Sequence, residues 1–335
     1  MTENEKLLPW EEENWFEEMS GWLRSSLAKH HLEIVNKPVQ VHSAPWSVVY
    51  YVPTNQGKYY FKALCPSLGY EPPLTRQLSV WQPGTIQPVL EIEQNRGWML
   101  MPDGGSTLRQ VLENDPSLNY WKKILPAYAR FQQAMIPHQK ELLALAVHDR
   151  RLCVLPGLAQ KLAADRDAMC IGQPDGLAPA EYESLVSILP KLQTLCDALA
   201  QFNIPETLQH DDFHDGNIFV VHNDFKFFDW AESFIAHPFF TLVVTLRSIA
   251  YRFDLDENAP ELLELEDLYL REWQEYATLD RLRKAFDLAM ILGRMNRALT
   301  WHMVVSSLPQ PYRSNEADAV PGWLQLFLEK IKLCV

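Results

Sequence analysis

Leu208-Gln209-His210-Asp211-Asp212-Phe213-His214-Asp215-Gly216-Asn217-Ile218-Phe219-Val220, with Phe227-Phe228-Asp229-Trp230 a few residues on, sets three polar side chains in order between apolar runs: Asp212, Asn217 and Asp229. The apolar flanks read as strands, so Asp212 to Asn217 is a loop, and a strand, turn and strand carry the chain to Asp229. Such a loop presents one carboxylate while two oxygen ligands converge on a hard cation. Asp, Asn and Gly are also ordinary turn formers, which accounts for Asp215-Gly216 or Asn223-Asp224 taken singly. It does not account for the set, because two histidines, three aspartates and an asparagine within eight residues exceed what a hairpin requires.

A hydroxyl nucleophile needs a carboxylate in hydrogen-bond reach to orient it and take its proton, and Asp212 stands where a loop holds one. Magnesium takes carboxylate and amide oxygens and keeps phosphates among its ligands, so one Asp and one Asn suit it. A different chemistry is also open, since His210, Asp212 and His214 alternate as zinc or iron ligands do in a metal-dependent hydrolase. Against it, no further His or Cys cluster occurs, and His222 and His237 are isolated. His210 therefore reads as a brace for the loop.

His210-x-Asp212-x4-Asn217 followed by Asp229-Trp230 resembles the catalytic loop and metal-binding aspartate of the aminoglycoside phosphotransferase and choline kinase families, relatives of the protein kinases. Ile204-Pro205-Glu206-Thr207-Leu208 and His237-Pro238-Phe239-Phe240 are similar to uncharacterised bacterial members, and the likeness runs from about Val39 to the last helices. The resemblance implies an α+β, two-lobed protein-kinase-like fold. A small antiparallel-sheet lobe with a preceding helix would span residues 1–102, and a larger, mainly helical lobe residues 103–335. It implies ATP, with GTP the alternative donor, and Mg2+ held by Asn217 and Asp229. Asp212 would be the base, with His210 beside it, in transfer of a γ-phosphate to a hydroxyl of a small molecule. A nucleotide-binding module without catalysis is the second reading.

A kinase-like small lobe needs a strand lysine for the nucleotide phosphates and an acidic residue to hold it. Val39 to His42, Val48 to Val52 and Lys58 to Leu64 read as strands, with Thr54-Asn55-Gln56-Gly57 as a turn. Lys62 is the candidate lysine, because Phe61 before it and Ala63-Leu64 after it make an unpaired ammonium costly. Glu71, ahead of a helix over 74–81, is preferred as its partner over Glu91 and Glu93 on a strand over 89–93. The strand from Gly97 to Met101, broken by Pro102-Asp103-Gly104-Gly105, resembles the hinge whose backbone near Met99 and Met101 holds an adenine. Two departures favour the non-catalytic reading. The loop Ser43-Ala44-Pro45-Trp46-Ser47 has no glycine, leaving the hydroxyls of Ser43 and Ser47 as donors over the phosphates. Asp211 stands where the family has glycine, and its charge is expected to raise the pKa of Asp212 or repel phosphate.

The 335 residues suffice for two cores, and 47% hydrophobic with 22% charged residues is ordinary for a soluble protein. No apolar run reaches about 18 residues, and Met1-Thr2-Glu3-Asn4-Glu5 has neither region of a secretion signal, so no membrane partner and a cytoplasmic location are expected. Cys65, Cys153, Cys170, Cys196 and Cys334 are widely spaced and lack a C-x-x-C pair, which fits reduced thiols. A net charge of −13 argues against nucleic acid and suits a cationic or neutral hydroxylated substrate. Helices are expected over 9–35, 119–135, 156–169, 179–202, 238–252, 260–277, 279–304 and 322–333. The acidic run from Asp254 to Asp267 reads as a solvated face. Arg247, Arg252, Arg294 and Arg297 have no assigned role; facing inward, they would argue for a carboxylate or phosphate on the substrate.

Overall fold

The computed structural model describes residues 7–222 and 224–332, so the opening Met1 to Glu5, Asn223, Leu333 and Cys334, named above, lie outside the described residues. In chain order the elements are α1 (Trp15–Ala28), β1 (Val39–Ala44), β2 (Ser47–Thr54), β3 (Gly57–Leu64), α2 (Glu71–Trp81), β4 (Glu91–Glu93), β5 (Trp98–Pro102), α3 (Leu108–Asn114), α4 (Asn119–Met135), α5 (Gln139–Ala144) and β6 (His148–Asp149). Then come α6 (Leu155–Ala164), α7 (Pro179–Ala200), β7 (Thr207–His210), β8 (Ile218–Val221), β9 (Asp224–Phe227), β10 (Ser233–Ala236), α8 (Leu242–Phe253), α9 (Pro260–Arg271), α10 (Leu279–Ser307), α11 (Gln310–Arg313) and α12 (Ala319–Lys332). The architecture is α+β, an antiparallel sheet early in the chain and a mainly helical remainder.

Two compact units divide the chain: Met1–Ser106 with Phe219–Ala231 and Met303–Glu316, and Thr107–Ile218 with Glu232–His302 and Ala317–Val335. The hairpin after the loop and the end of α10 thus count with the first unit, a return that a single cut in the sequence does not express.

In the first unit the strands lie in the order β1-β2-β3-β5-β4, every neighbouring pair antiparallel. Period-two alternation gives the sheet two distinct faces. On one, Val48, Tyr50, Val52, Phe61, Ala63, Trp98 and Leu100 bury against Trp15, Met19, Leu23 and Leu27 of α1. Trp15 packs edge-on to Phe61 and Trp98 at centroid separations of 6.0 and 5.9 Å. The helix expected over 9–35 stops at Ala28, because His31 turns left-handed at φ 58° and Ile34 bridges to Thr54. The hairpin of β8 and β9 is tied down where Phe227 exchanges backbone hydrogen bonds with Thr85 and Gln87 at 2.8 and 3.1 Å. Phe219 stacks on Phe228, 4.0 Å between centroids.

In the second unit β10 pairs antiparallel with β7 and parallel with β6 inside a helical shell. Tyr128 of α4 is fully buried, and its hydroxyl accepts a 2.9 Å hydrogen bond from the His210 N–H at the end of β7. The 156–169 expectation resolves into α6, ending at Ala164, and a single 3-10 turn over Asp167–Met169. Pro238 opens a 3-10 turn before α8, where its missing N–H costs nothing. Among the described residues no helix is long and apolar enough to cross a membrane.

Candidate active site

The sheet face opposite α1 carries Lys62. Register places it against Val49 of β2 and Met99 of β5, and Tyr60 against Met101, so Ser47, Val49, Lys62, Met99 and Met101 share that face. Ser43, in register with Val48, belongs to the other face and is exposed. The Lys62 side chain is 7% exposed; its Nζ lies 2.7 Å from Glu71 Oε2 and 2.7 Å from Asp229 Oδ1. Glu71 is fully buried in the first turn of α2, which Pro72 and Pro73 start earlier than the expected residue 74. Glu91 pairs instead with Lys29 and His30. Asp229 sits at φ 65°, a left-handed turn that aspartate tolerates better than most residues, and keeps 41% of its side chain exposed. The Tyr70 hydroxyl donates to the Ala231 carbonyl two residues on.

Burial disfavours the Lys62 ammonium, but the charges of Asp229 and Glu71 outweigh it and hold its pKa above the lysine range. Burial pushes the Glu71 carboxyl up to about 7, with Lys62 opposing and Asp229 adding to the rise. One cation thus serves two carboxylates, only one of them open to solvent.

The second unit holds the loop. His210 is fully buried, and its Nδ1 accepts the Asp212 N–H at 3.2 Å. Asn217 donates through Nδ2 to the Asp212 carbonyl at 2.9 Å, so its amide oxygen is the atom left for a cation. His214 Nδ1 accepts the Gly216 N–H at 2.9 Å, which puts the ring proton on Nε2, 3.2 Å from Asp212 Oδ2. Burial opposes protonation of His214, while Asp212 draws its pKa upward. Asp215, nearly buried, is clamped by Arg109 at 2.9 Å and Arg252 at 2.6 Å. With ring nitrogens of His210 and His214 engaged within the loop, the zinc arrangement is not formed, and among the described residues no group of three or more His, Cys, Asp or Glu is placed to hold a metal ion.

Asp212 has a partner that the motif does not contain. Arg297 of α10, 5% exposed, places Nη2 3.0 Å from Asp212 Oδ1 and Nη1 3.5 Å from Asp211 Oδ2, and Nη1 also meets Glu232. Burial opposes ionisation of Asp212, but Arg297, His214 and His210 hold its carboxyl well below the usual carboxylate range. The expected rise caused by Asp211 is therefore not found. The Asp211 side chain is anchored in α10 instead, accepting from Asn296 Nδ2 at 2.9 Å and from the Thr300 hydroxyl. Arg297 and Glu232 left one signal in the sequence: each is a charge in a largely apolar stretch, Ala289 to Ala298 and Phe227 to Ala236, a signal shared with Arg294 and Asp229.

The model of the phosphotransferase enzyme family matches residues 75–282, more than half of the chain. The chain belongs to that family. No curated protein matches the sequence of this phosphotransferase-family member. Among solved structures it is similar to a Plasmodium vivax ethanolamine kinase, with a TM-score of 0.63 and 14% identity over 95% of this chain and 88% of that one. A choline kinase from Cryptosporidium parvum gives a TM-score of 0.59 at 12% identity, covering 95% of each chain. An amicoumacin kinase in complex with AMP-PNP, Ca2+ and Ami gives 0.57 at 13%, covering 94% of each. At such identities the likeness shows the fold, which is protein-kinase-like.

Proposed function

We propose that this phosphotransferase-family protein moves the γ-phosphate of ATP, or of GTP, to a hydroxyl of a small molecule. The observation that carries this reading is the Lys62 ammonium fixed between buried Glu71 and partly exposed Asp229. A buried lysine with one solvent-open acidic partner suits polyphosphate chemistry, in which the lysine meets phosphate oxygens and the open carboxylate takes a metal ion. Met99 and Met101 share the face of Lys62, where their side chains flank an adenine, their backbone being paired with β3. Ser47, buried on that face, is a possible donor, whereas Ser43 is not placed for it.

The donor set fits magnesium. Asp229 offers a carboxylate and Asn217 an amide oxygen, both hard ligands, and substrate phosphates complete such a shell. The ion, when bound, neutralises charge on the transferred phosphate. Asp212 orients the acceptor hydroxyl. Its carboxyl is held so acidic by Arg297 and the two histidines that it accepts the proton late, as the bond to phosphorus forms. His210 and Asn217 fix the backbone of Asp212, and the His214 Nε2 proton occupies one of its oxygens.

Asp212→Asn is expected to lower turnover by about 10² or more, with nucleotide binding retained. Transfer of labelled phosphate from ATP to a panel of hydroxylated small molecules, followed with the best acceptor, measures it. Undiminished turnover in the variant removes Asp212 from the mechanism.

A further inference from the structure

Arg294 and Arg297 stand three residues apart on α10 and so share one of its faces. The charge of Arg297 is matched by Asp211, Asp212 and Glu232. That of Arg294 is not. Arg294 is 8% exposed, its Nη1 donates to the Met290 carbonyl, and among the described residues no carboxylate lies within ion-pair distance of it. Buried guanidinium groups are ordinarily paired, because desolvating an uncompensated charge is costly.

A second cation, Arg247, lies in the same region, with Glu257 and Glu329 outside ion-pair distance of Arg294. Arg247 of α8 lies 5.5 Å from the ring centre of Trp323 in α12, and Arg297 lies 5.9 Å from the same ring. Burial lowers the Arg294 pKa; Glu257, from beyond ion-pair distance, opposes this by more than Arg247 adds to it, and Glu329 opposes it less. Glu257 reaches Arg247 only at 3.9 Å and is itself 65% exposed. Arg297 also lies 5.6 Å from the Trp301 ring, so the chain's own guanidinium takes up the aromatic faces that a cationic amine would need.

We propose that Arg294 and Arg247 bind a carboxylate or phosphate group of the acceptor, whose hydroxyl meets Asp212. Arg247 lies against the Trp323 ring that Arg297, three residues from Arg294, also meets, and two guanidinium forks match the planar or tetrahedral oxyanions that arginine recognises bidentately. The role of Asp212 rests on the phosphotransferase reading; the anion site does not.

Calorimetric titration of the full chain with four probes of one carbon skeleton tests it: glycerate, glycerol 3-phosphate, glycerol and 3-amino-1,2-propanediol. The two anions are expected to bind in preference to the neutral and cationic probes, and the stronger of the two identifies carboxylate or phosphate as the natural group. Arg294→Gln and Arg247→Gln should each weaken anion binding roughly tenfold or more, while Lys62→Ala leaves it in place. Arg247 is partly exposed, so its variant folds even where that of Arg294 does not. Preference for the neutral or cationic probe, no binding of either anion, or equal anion binding in both arginine variants overturns the proposal. Anion binding that depends on Arg294 without ATP-dependent transfer to any probe would count against the phosphotransferase reading and leave the anion site standing.

Discussion

Asp211, Asp212 and Glu232 crowd the single guanidinium of Arg297, and the pair that shares it most closely shifts in opposite directions. Asp212 stays ionised far into acid, whereas burial pushes the Glu232 carboxyl up to about 7, with Arg297 opposing and Asp212 adding to the rise. Too many carboxylates for one cation means that the first proton taken up goes to Glu232. Its folded pKa lies above the unfolded value of 4.5, so the stability it contributes is fully present below about pH 4.5 and is lost as pH rises through 7. Glu71 titrates in the same direction, so part of the trend has another source. Glu232→Gln is therefore expected to reduce, without abolishing, the fall in the urea midpoint between pH 5 and pH 8. Equal slopes in variant and parent would place the Glu232 proton elsewhere.

At the level of elements, the loop was legible because its residues are consecutive: Asp212, Asn217 and Asp229 are visible at fixed spacing in one stretch. The partnership of Lys62 with Glu71 was legible for a different reason, since an ammonium in an apolar strand demands a carboxylate and the next helix begins with one. What the sequence hid is the support from α10. Arg297, Asn296 and Thr300 follow Asp212 by more than eighty residues, and a charge in an apolar stretch of a 29-residue helix does not say which distant loop it faces. Backbone contacts were equally hidden. A Cβ on Gly104 would sit 2.3 Å from ring atoms of Phe219, whose ring stacks on Phe228 beside Asp229. Gly104→Ala must push that ring and its neighbour, a clash expected to cost about 1–3 kcal/mol and to disturb the hairpin that carries Asp229. Urea unfolding measures the first effect, and an unchanged midpoint would show that Phe219 moves aside freely.

For the molecule as a whole, the fold class was legible through the family resemblance of the loop motif, while period-two alternation and turn chemistry, which act locally, marked the strands of the first unit. It did not state how the chain is shared between the two units, because the return of residues 219–231 to the first depends on hydrogen bonds between Phe227 and the distant Thr85 and Gln87. That return brings Asp229 to Lys62, and it makes a prediction about ligand-linked stability. A ligand that binds only the folded protein stabilises it by an amount set by concentration over Kd, about 2.7 kcal/mol at a hundredfold excess. Asp229 is paired with Lys62 but half open to solvent, so a nucleotide meeting only the lysine competes with an existing ion pair, whereas a nucleotide bringing Mg2+ gives both partners a new counter-charge. Thermal unfolding is therefore expected to shift upward with ATP and magnesium together, much less with either alone, and not at all with both in Asp229→Ala. Equal stabilisation by ATP without magnesium would favour a nucleotide-binding module without catalysis, because the nucleotide would then be held with no metal ion for the Asp229 carboxylate to take.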